Sequence, residues 1–499
     1  MTQATANSNG NAGSTRRVVI IGAGPGGLCM GIKLKEAGST NFVILEKGSG
    51  VGGTWYHNRY PGAACDIQSA LYSYSFEMKV DWSRPYGTQP EIRAYMEHVA
   101  DKYAMVPFIR FDTAVTKAYW DEECLVWRVI TSAGDELVAD VVVSAIGMFN
   151  ELNYPTIDGM DTFKGTMFHS ARWNHDHDLS GERVAVIGSA ASAVQFVPEI
   201  AKEVGQLHLF QRTANWVVPR DDDPYDAETL ERFRQDPSLV RQFRLRVWRE
   251  VEKFVTFPTN LISRAERAGL RNLEVVKDPE LRRKLTPTHS YGCKRPLISN
   301  DYYPTFNRPN VELVTDHIER ITPTGVRTVD GVEREADTIV LATGFHVDRY
   351  LSALDVTGRD GVPIAEAWSD GAQAYLGMTT AGFPNLFMLY GPNTNGGSSM
   401  IHMLELEVAY IMGQLRRMDE ERLASLEVRR EVMDRYNDEL QAAIEKVDVW
   451  HGDCSNYYRS DSGRMVTQYP HPSATFRAIT ATPDPEAYLA QPGLPIGAR

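Results

Sequence analysis

Two stretches of the chain carry one apolar pattern. Arg16 to Leu28 reads RRVVIIGAGPGGL, and Arg183 to Val194 reads RVAVIGSAASAV. Each is a short apolar run ending in a small-residue turn, followed by the start of a helix. A continuous apolar run bounded by such a turn predicts a strand buried on both faces, as a parallel sheet requires. Each run has a later partner that predicts a closing strand, ADVVVSAIG at 139–147 and ADTIVLATGF at 336–345. Alternating segments between them fit βα units. The fold class expected is therefore α/β, with two doubly wound, Rossmann-like dinucleotide-binding domains.

The organisation expected is a flexible polar leader at 1–15, a first domain at 16–150 and a second at 151–345. The segment 346–499 contains FPNLFMLYGPNT, a buried-strand pattern, and is expected to fold back onto the first domain. Residues 221–290 exceed any ordinary connection in such a fold. Within them Val240, Phe243, Val247, Val251 and Phe254 recur at helical spacing, with Arg241, Arg244, Arg246 and Arg249 between. That pattern predicts a helical insertion with a solvated basic face, or a lid over an apolar substrate pocket.

Composition narrows the class. The 499 residues carry 52 Lys plus Arg against 65 Asp plus Glu, a formal net charge of −13, so no broad basic field exists for nucleic acid or an anionic membrane. No run of 18 apolar residues predicts a membrane span, and residues 1–15 lack the apolar core of a signal peptide. Five cysteines (Cys29, Cys65, Cys124, Cys293 and Cys454) form no C-x-x-C and no zinc spacing. Reduced thiols and no metal in a cytoplasmic enzyme are the expectation.

Gly22, Gly24 and Gly27 form G-x-G-x-x-G directly after the strand at Val18–Ile21. The first permits a tight turn, the second lets backbone approach a pyrophosphate, and the third lets helix pack on strand. The next strand, FVILEK, ends in Glu46, whose carboxylate can accept both hydroxyls of a ribose and would repel a 2′-phosphate. FAD or NAD is expected here. In the second copy Gly188 stands for Gly22, and the acid is replaced by Arg212 at the same spacing, with Thr213 beside it. A guanidinium there pairs with a 2′-phosphate, so NADPH is favoured over NADH. Ala190 occupies the second glycine position, where its methyl is expected to crowd the pyrophosphate; Ser189 and Ser192 are placed to compensate.

Further stretches resemble the Baeyer–Villiger monooxygenase family, the class B flavin monooxygenases that use FAD and NADPH. GGTWYHNRYPGAACD at 52–66 and YSYSF at 72–76 resemble its flavin-side loop. FKGTMFHSARWN at 163–174 resembles its signature F-x-G-x-x-x-H-x-x-x-W-[P or D], matched at Phe163, Gly165, His169 and Trp173 but not at Asn174. CKRPLISNDYYPTFNRPNVELV at 293–314, ATGF at 342–345 and FPNLFMLYGPNT at 383–394 follow in the family's order. The resemblance implies that Arg295 is the active-site arginine, steadying an anionic C4a-peroxyflavin, with Asp66 the acid beside it. It implies that Lys294 touches the NADP phosphate and that Thr54, Trp55 and Tyr72 contact the flavin. Val115 would make a backbone contact near the adenine, and His169 and Trp173 would join the two domains. Where the family often has C-x-S-W-Y, this chain has CSNYY at 454–458, with Tyr457 at or near the Trp position.

The expected activity is an NADPH- and O2-dependent insertion of one oxygen beside a ketone carbonyl, giving an ester or lactone. Oxygenation at sulfur or nitrogen would use the same plan and is the alternative. A pyridine-nucleotide disulfide reductase would need a redox cysteine pair near the flavin, which the sequence spacing does not supply. A non-enzymatic nucleotide-binding redox module is the remaining class.

Overall fold

The apolar run Val18–Ile21 becomes a strand paired in parallel with Phe42–Leu45 on one side and Val141–Ser144 on the other. Ile109–Arg110 and Leu386–Met388 extend it to a five-stranded parallel sheet. The structure, a computed structural model, describes residues 14–396, 398–452, 454 and 456–493. All of the polar leader expected at 1–15 except Ser14 and Thr15 lies outside the described residues. A second parallel sheet has the order Val311–Val314, Gln206–Phe210, Arg183–Ile187, Thr338–Leu341, Thr166–His169. The central strands of both sheets, Val18–Ile21, Val141–Ser144 and Thr338–Leu341 among them, are buried on both faces, which is why they are nearly continuous apolar runs.

Two clusters cover the first sheet. One contains Val18, Ile20 and Ile44 together with residues from far down the chain, among them Phe387, Ile401 and Trp450. The other packs Val19, Ile21 and Leu45 against Trp120, Trp127 and Trp368. The second sheet likewise has its own two clusters. Each opening strand runs through a turn into a helix, Pro25–Glu36 in the first and Ala191–Ile200 in the second. The long helix Met400–Glu420 lies against Pro25–Glu36, where Gly26 leaves room for Leu404 and Leu389.

Between the sheets run two connections that are zipped to each other. Leu152 bridges Phe345, Asn153 N donates to the Gly344 carbonyl, and His346 N donates to the Glu151 carbonyl. His169 sits against Tyr154 and Phe345 at this joint, and Trp173 packs on Phe168 and Phe196. Asn174 accepts from Asp176 N through its side-chain oxygen, closing a turn. An aspartate would supply the same acceptor, so the departure from the signature at this position preserves the turn.

The insertion contains four helices, Ala227–Gln235, Ser238–Glu252, Thr259–Leu273 and Pro279–Leu285. Its basic face differs from expectation at one residue. Arg244 is buried, with Nη1 donating to the carbonyls of Ala70, Leu71 and Ser73 and Nη2 pairing with Glu405 at 3.4 Å. Helical periodicity assigns an arginine to the polar face, but hydrogen bonds to three buried carbonyls and the charge of a carboxylate outweigh that assignment. The other correction concerns the thiols. Cys293 and Cys454 form a disulfide, whereas Cys29, Cys65 and Cys124 are free. The two partners are 161 positions apart, and such a separation carries no pairing signal in a single sequence. Among the described residues no helix is long and apolar enough to cross a membrane, and no cluster of His, Cys, Asp and Glu could hold a metal.

Arg244→Ala removes a donor from three carbonyls and the cation beside Glu405, which keeps only its hydrogen bonds from Ser75, and is expected to destabilise the protein by about 3–5 kcal/mol in urea unfolding. A pH effect follows from two buried histidines. Burial holds His169 and His402 down at about 4, with Arg172 adding to it at His169 and Arg244 and Arg477 at His402. Each takes up a proton on unfolding between about pH 6.5 and 4, so the unfolded state binds more protons and stability falls as pH falls through that window. The melting temperature is expected to drop across it, and His402→Gln to flatten part of the drop in a pH series of thermal melts.

Candidate active site

Two glycines with matching backbone open the two nucleotide turns. Gly22 has φ +105° and Gly188 has φ +107°, and a Cβ would strike the carbonyl of Ala145 at 2.8 Å or of Ala342 at 2.4 Å. Both positions therefore demand glycine. At Gly27 a Cβ would lie 1.9 Å from the Gly22 carbonyl oxygen, so that residue sets the helix-to-strand approach. Gly24 and Ala190 cap their helices with similar extended backbone, φ −75° and −92°. Alanine at 190 thus carries no backbone strain. Its methyl belongs to an exposed residue lining the cavity described below.

At the end of the second strand Glu46 is 4% exposed, and its two oxygens accept from Ala23 N and Gly48 N, each at 2.7 Å. Carboxylate oxygens have further lone pairs, so this geometry fixes the group while leaving it able to accept ribose hydroxyls. Thr113 N donates to the Glu46 carbonyl, bringing the chain that enters the strand at Val115 alongside. The Val115 side chain is buried with Val19 and Trp127.

Residues just past the carboxyl ends of both sheets line a cavity of about 1220 Å³. From the second sheet come Gly188, Ser189, Ser192, Arg212 and Thr213. Asn215 donates to the Ser189 carbonyl, pinning the turn to the loop that carries Arg212. Lys294 reaches the same wall. Its ammonium is pulled below its ordinary range by burial and then by Arg212. Neither cation has an ion-pair partner among the described residues. Two neighbouring cations without a carboxylate are a fit for a phosphate, which would relieve their repulsion.

The opposite wall is the loop at 52–72. Gly53 approaches Gly24 so closely that a Cβ on it would lie 2.9 Å from the Gly24 Cα, and Thr54 then begins a short helix, Thr54–His57. Trp55 Nε1 donates to the Tyr72 hydroxyl at 3.0 Å with the rings edge to face, and the Gln89 amide holds the Trp55 carbonyl. Thr54, Trp55 and Tyr72 line the cavity, and Gly53 packs their loop against Gly24, which like Gly22, Gly27 and Glu46 lies outside the cavity lining. This suits an extended flavin dinucleotide.

Across the cavity Arg295 donates through Nε at 3.0 Å and Nη2 at 2.5 Å to one oxygen of Asp66. Both side chains are 34% exposed and face the cavity. The Asp66 carboxylate holds the guanidinium charged, well above its ordinary range and against the opposing effect of burial.

Further residues complete the wall around Arg295. Tyr390 and Tyr457 line the cavity together with Arg295. The Tyr390 hydroxyl donates to Asn395, and Asn395 donates to Gln468. Gln195 accepts from the Tyr60 hydroxyl and donates to the Ala64 carbonyl, tying the second helix to the flavin-side loop. Its one clue is a polar residue in an otherwise apolar helix start. The Cys293–Cys454 bridge does not line the cavity, so it is not placed as the redox pair of a disulfide reductase.

A family model described as pyridine nucleotide-disulphide oxidoreductase matches residues 19–249. A Baeyer–Villiger monooxygenase of Pseudomonas aeruginosa is 43% identical over 95% of this chain and 91% of its own. A solved structure of an oxidized steroid monooxygenase bound to NADP superposes with a TM-score of 0.86 at 34% identity, covering 96% of this chain and all of that one. An OTEMO complex with FAD and NADP superposes with a TM-score of 0.84 at 27% identity, over 94% and 97%. With that similarity running the length of both nucleotide turns and the cavity between them, the chain belongs to the Baeyer–Villiger monooxygenases.

Proposed function

We propose that this protein oxidises a ketone to an ester or lactone with NADPH and O2, using FAD as its resident cofactor. The observation that carries the reading is the Arg295–Asp66 pair in a cavity between one carboxylate-ended and one arginine-ended nucleotide turn. Residues 16–150 with 346–499 would form the flavin domain, and 151–345 the NADPH domain with its insertion. Parallel pairing of Leu386–Met388 with Val141–Ser144 supports that division. Use of NADPH supports a cytoplasmic enzyme.

The residues present fit both groups. Gly22, Gly24, Gly27 and Glu46 would hold the adenosine and pyrophosphate end of FAD, with the backbone near Val115 alongside. Thr54, Trp55, Asp66 and Tyr72 would meet its ring end. Gly188, Ser189, Ser192, Arg212, Thr213 and Lys294 would hold NADPH. The bound flavin, once reduced by NADPH, supplies the activated oxygen. The chain supplies position, charge and a wall against water. Arg295, charged at every working pH, stabilises negative oxygen in the cavity, and Asp66 holds its guanidinium in place. Glu46 binds ribose hydroxyls and does no proton transfer. Phe254, Val255 and Phe257, at the end of an insertion helix, give the substrate region an apolar wall suited to a ketone of low polarity.

Two measurements test the assignments. Arg295→Ala is expected to abolish ester formation from cyclohexanone while flavin stays bound; ester formed at the normal rate by gas chromatography would remove Arg295 from the mechanism. Arg212→Ala is expected to raise KM for NADPH by about ten- to a hundredfold more than KM for NADH, the loss of one charge-assisted phosphate contact. An equal rise for both would assign the 2′-phosphate elsewhere.

A further inference from the structure

Apart from Arg295 and Asp66, the cavity wall carries a line of oriented polar groups. The Tyr390 hydroxyl donates to Asn395 Oδ1 at 2.7 Å, and Asn395 Nδ2 donates to Gln468 Oε1 at 2.6 Å. All three residues line the cavity. The line is fixed at both ends. Tyr390 has left-handed backbone, φ +56°, and its N–H donates to the buried Glu407 carboxylate at 2.8 Å. In the same turn Asn393 donates through Nδ2 to the carbonyls of Met465 and Gln468, each at 3.0 Å. Asn395 N donates to the Thr467 carbonyl, and Tyr469 N donates to the Asn395 carbonyl. Gln468 is thus held through its backbone and its side-chain oxygen, and only 7% of it is exposed. Its Nε2 has no hydrogen-bond partner among the described residues and, unlike the Tyr469 hydroxyl beside it, is not sealed from solvent.

Phe254, Val255, Phe257, Met400 and Trp450 give the same cavity an apolar lining, with the Phe257 ring edge-on to Trp450. Asn456, the other late amide in the lining, is already used: Nδ2 donates to the Cys293 carbonyl and Oδ1 accepts from Tyr458 N. Gln468 spends its oxygen on Asn395, so what remains of its amide can only donate. It therefore complements an acceptor. A neutral donor offsets the desolvation of a neutral oxygen but not that of a carboxylate.

We propose that Gln468 is a specificity-determining residue whose Nε2 donates to a second, neutral oxygen of the substrate, so that the protein favours a ketone bearing another carbonyl or ether oxygen. The proposal rests on the reading of the cavity as a ketone site given above and adds the substrate class. Tyr390 and Asn395 set the amide before substrate arrives, so little side-chain freedom is lost on binding. A substrate without the second oxygen leaves the donor unpaired.

The test compares the parent holoenzyme with Gln468→Leu and Gln468→Glu on two pairs of ketones. Cyclohexanone is paired with cyclohexane-1,4-dione, and trans-2-decalone with trans-decalin-2,6-dione, so the two oxygens stand at two separations. Kd is read from perturbation of the oxidised flavin spectrum, and kcat/KM from ester formed by gas chromatography. The parent is expected to bind the dione about fivefold to tenfold tighter than the monoketone in at least one pair, with kcat/KM following. That ratio is expected to fall to about one in Gln468→Leu. It should fall below one in Gln468→Glu, which keeps an acceptor for Asn395 and turns a second oxygen toward the ligand.

Absence of a dione preference in the parent in both pairs would overturn the proposal, as would a parent-like ratio in both variants. So would a loss of bound FAD or a rise in KM for NADPH as large as the change in dione Kd, since the amide would then serve a cofactor. If the parent forms no ester from any of these ketones, the proposed reaction fails, while the Kd ratios still decide the Gln468 contact.

Discussion

The contact on which the site depends is the pair of Arg295 and Asp66 across the cavity. Asp66 lies on the loop that packs against the first glycine turn, and Arg295 lies on the segment that returns from the helical insertion. An ion pair between half-exposed partners adds little to stability. Its importance is geometric. Two chain segments with no other reason to meet are brought to one point, and a charge that cannot titrate away is aimed into a cavity built for two dinucleotides.

The rest of the molecule holds that point in place. Arg244 ties the insertion to the carbonyls around Tyr72, and Tyr72 accepts from Trp55. A movement of the insertion is therefore transmitted to the flavin-side loop. Trp248 and Glu252 dock the same helix on Ser473, so the insertion contacts both early and late parts of the chain. Gln195 does the equivalent at the second nucleotide turn. The Arg244 and Trp55 contacts are buried and the others part-buried, so parting them would leave polar groups with fewer partners.

Much of this was legible in the sequence because the signal was local. Apolar runs ending in glycine gave both central strands, and equal spacing placed Glu46 and Arg212 at corresponding strand ends. Pairing between distant segments was not legible. Helical periodicity put Arg244 outside because it reports a position on the helix, whereas the carbonyls that bury it come from residues 70–73. The cysteines gave no spacing motif, since Cys293 and Cys454 meet only after the last third of the chain has returned. Tyr390 and Asn395, from one stretch, meet Gln468 for the same reason, since Gln468 comes from a stretch 73 positions further on.

On the proposed assignment, the two glycine turns divide one fold between two ligands by a small change. Their glycines have nearly the same φ, and their caps nearly the same extended backbone. What differs is the sign of charge at one strand end. Glu46 is buried and already fixed by two amides, so it suits a ligand held continuously. Arg212 is exposed and Lys294 half-buried, their like charges repel, and neither has an ion-pair partner among the described residues. A site whose own charges repel is relieved by an anion that arrives, and returns to repulsion when that anion leaves. That asymmetry suits a flavin that stays and a nicotinamide nucleotide that is exchanged, and Ala190 in place of glycine falls on the exchanging side, where tight pyrophosphate contact matters less.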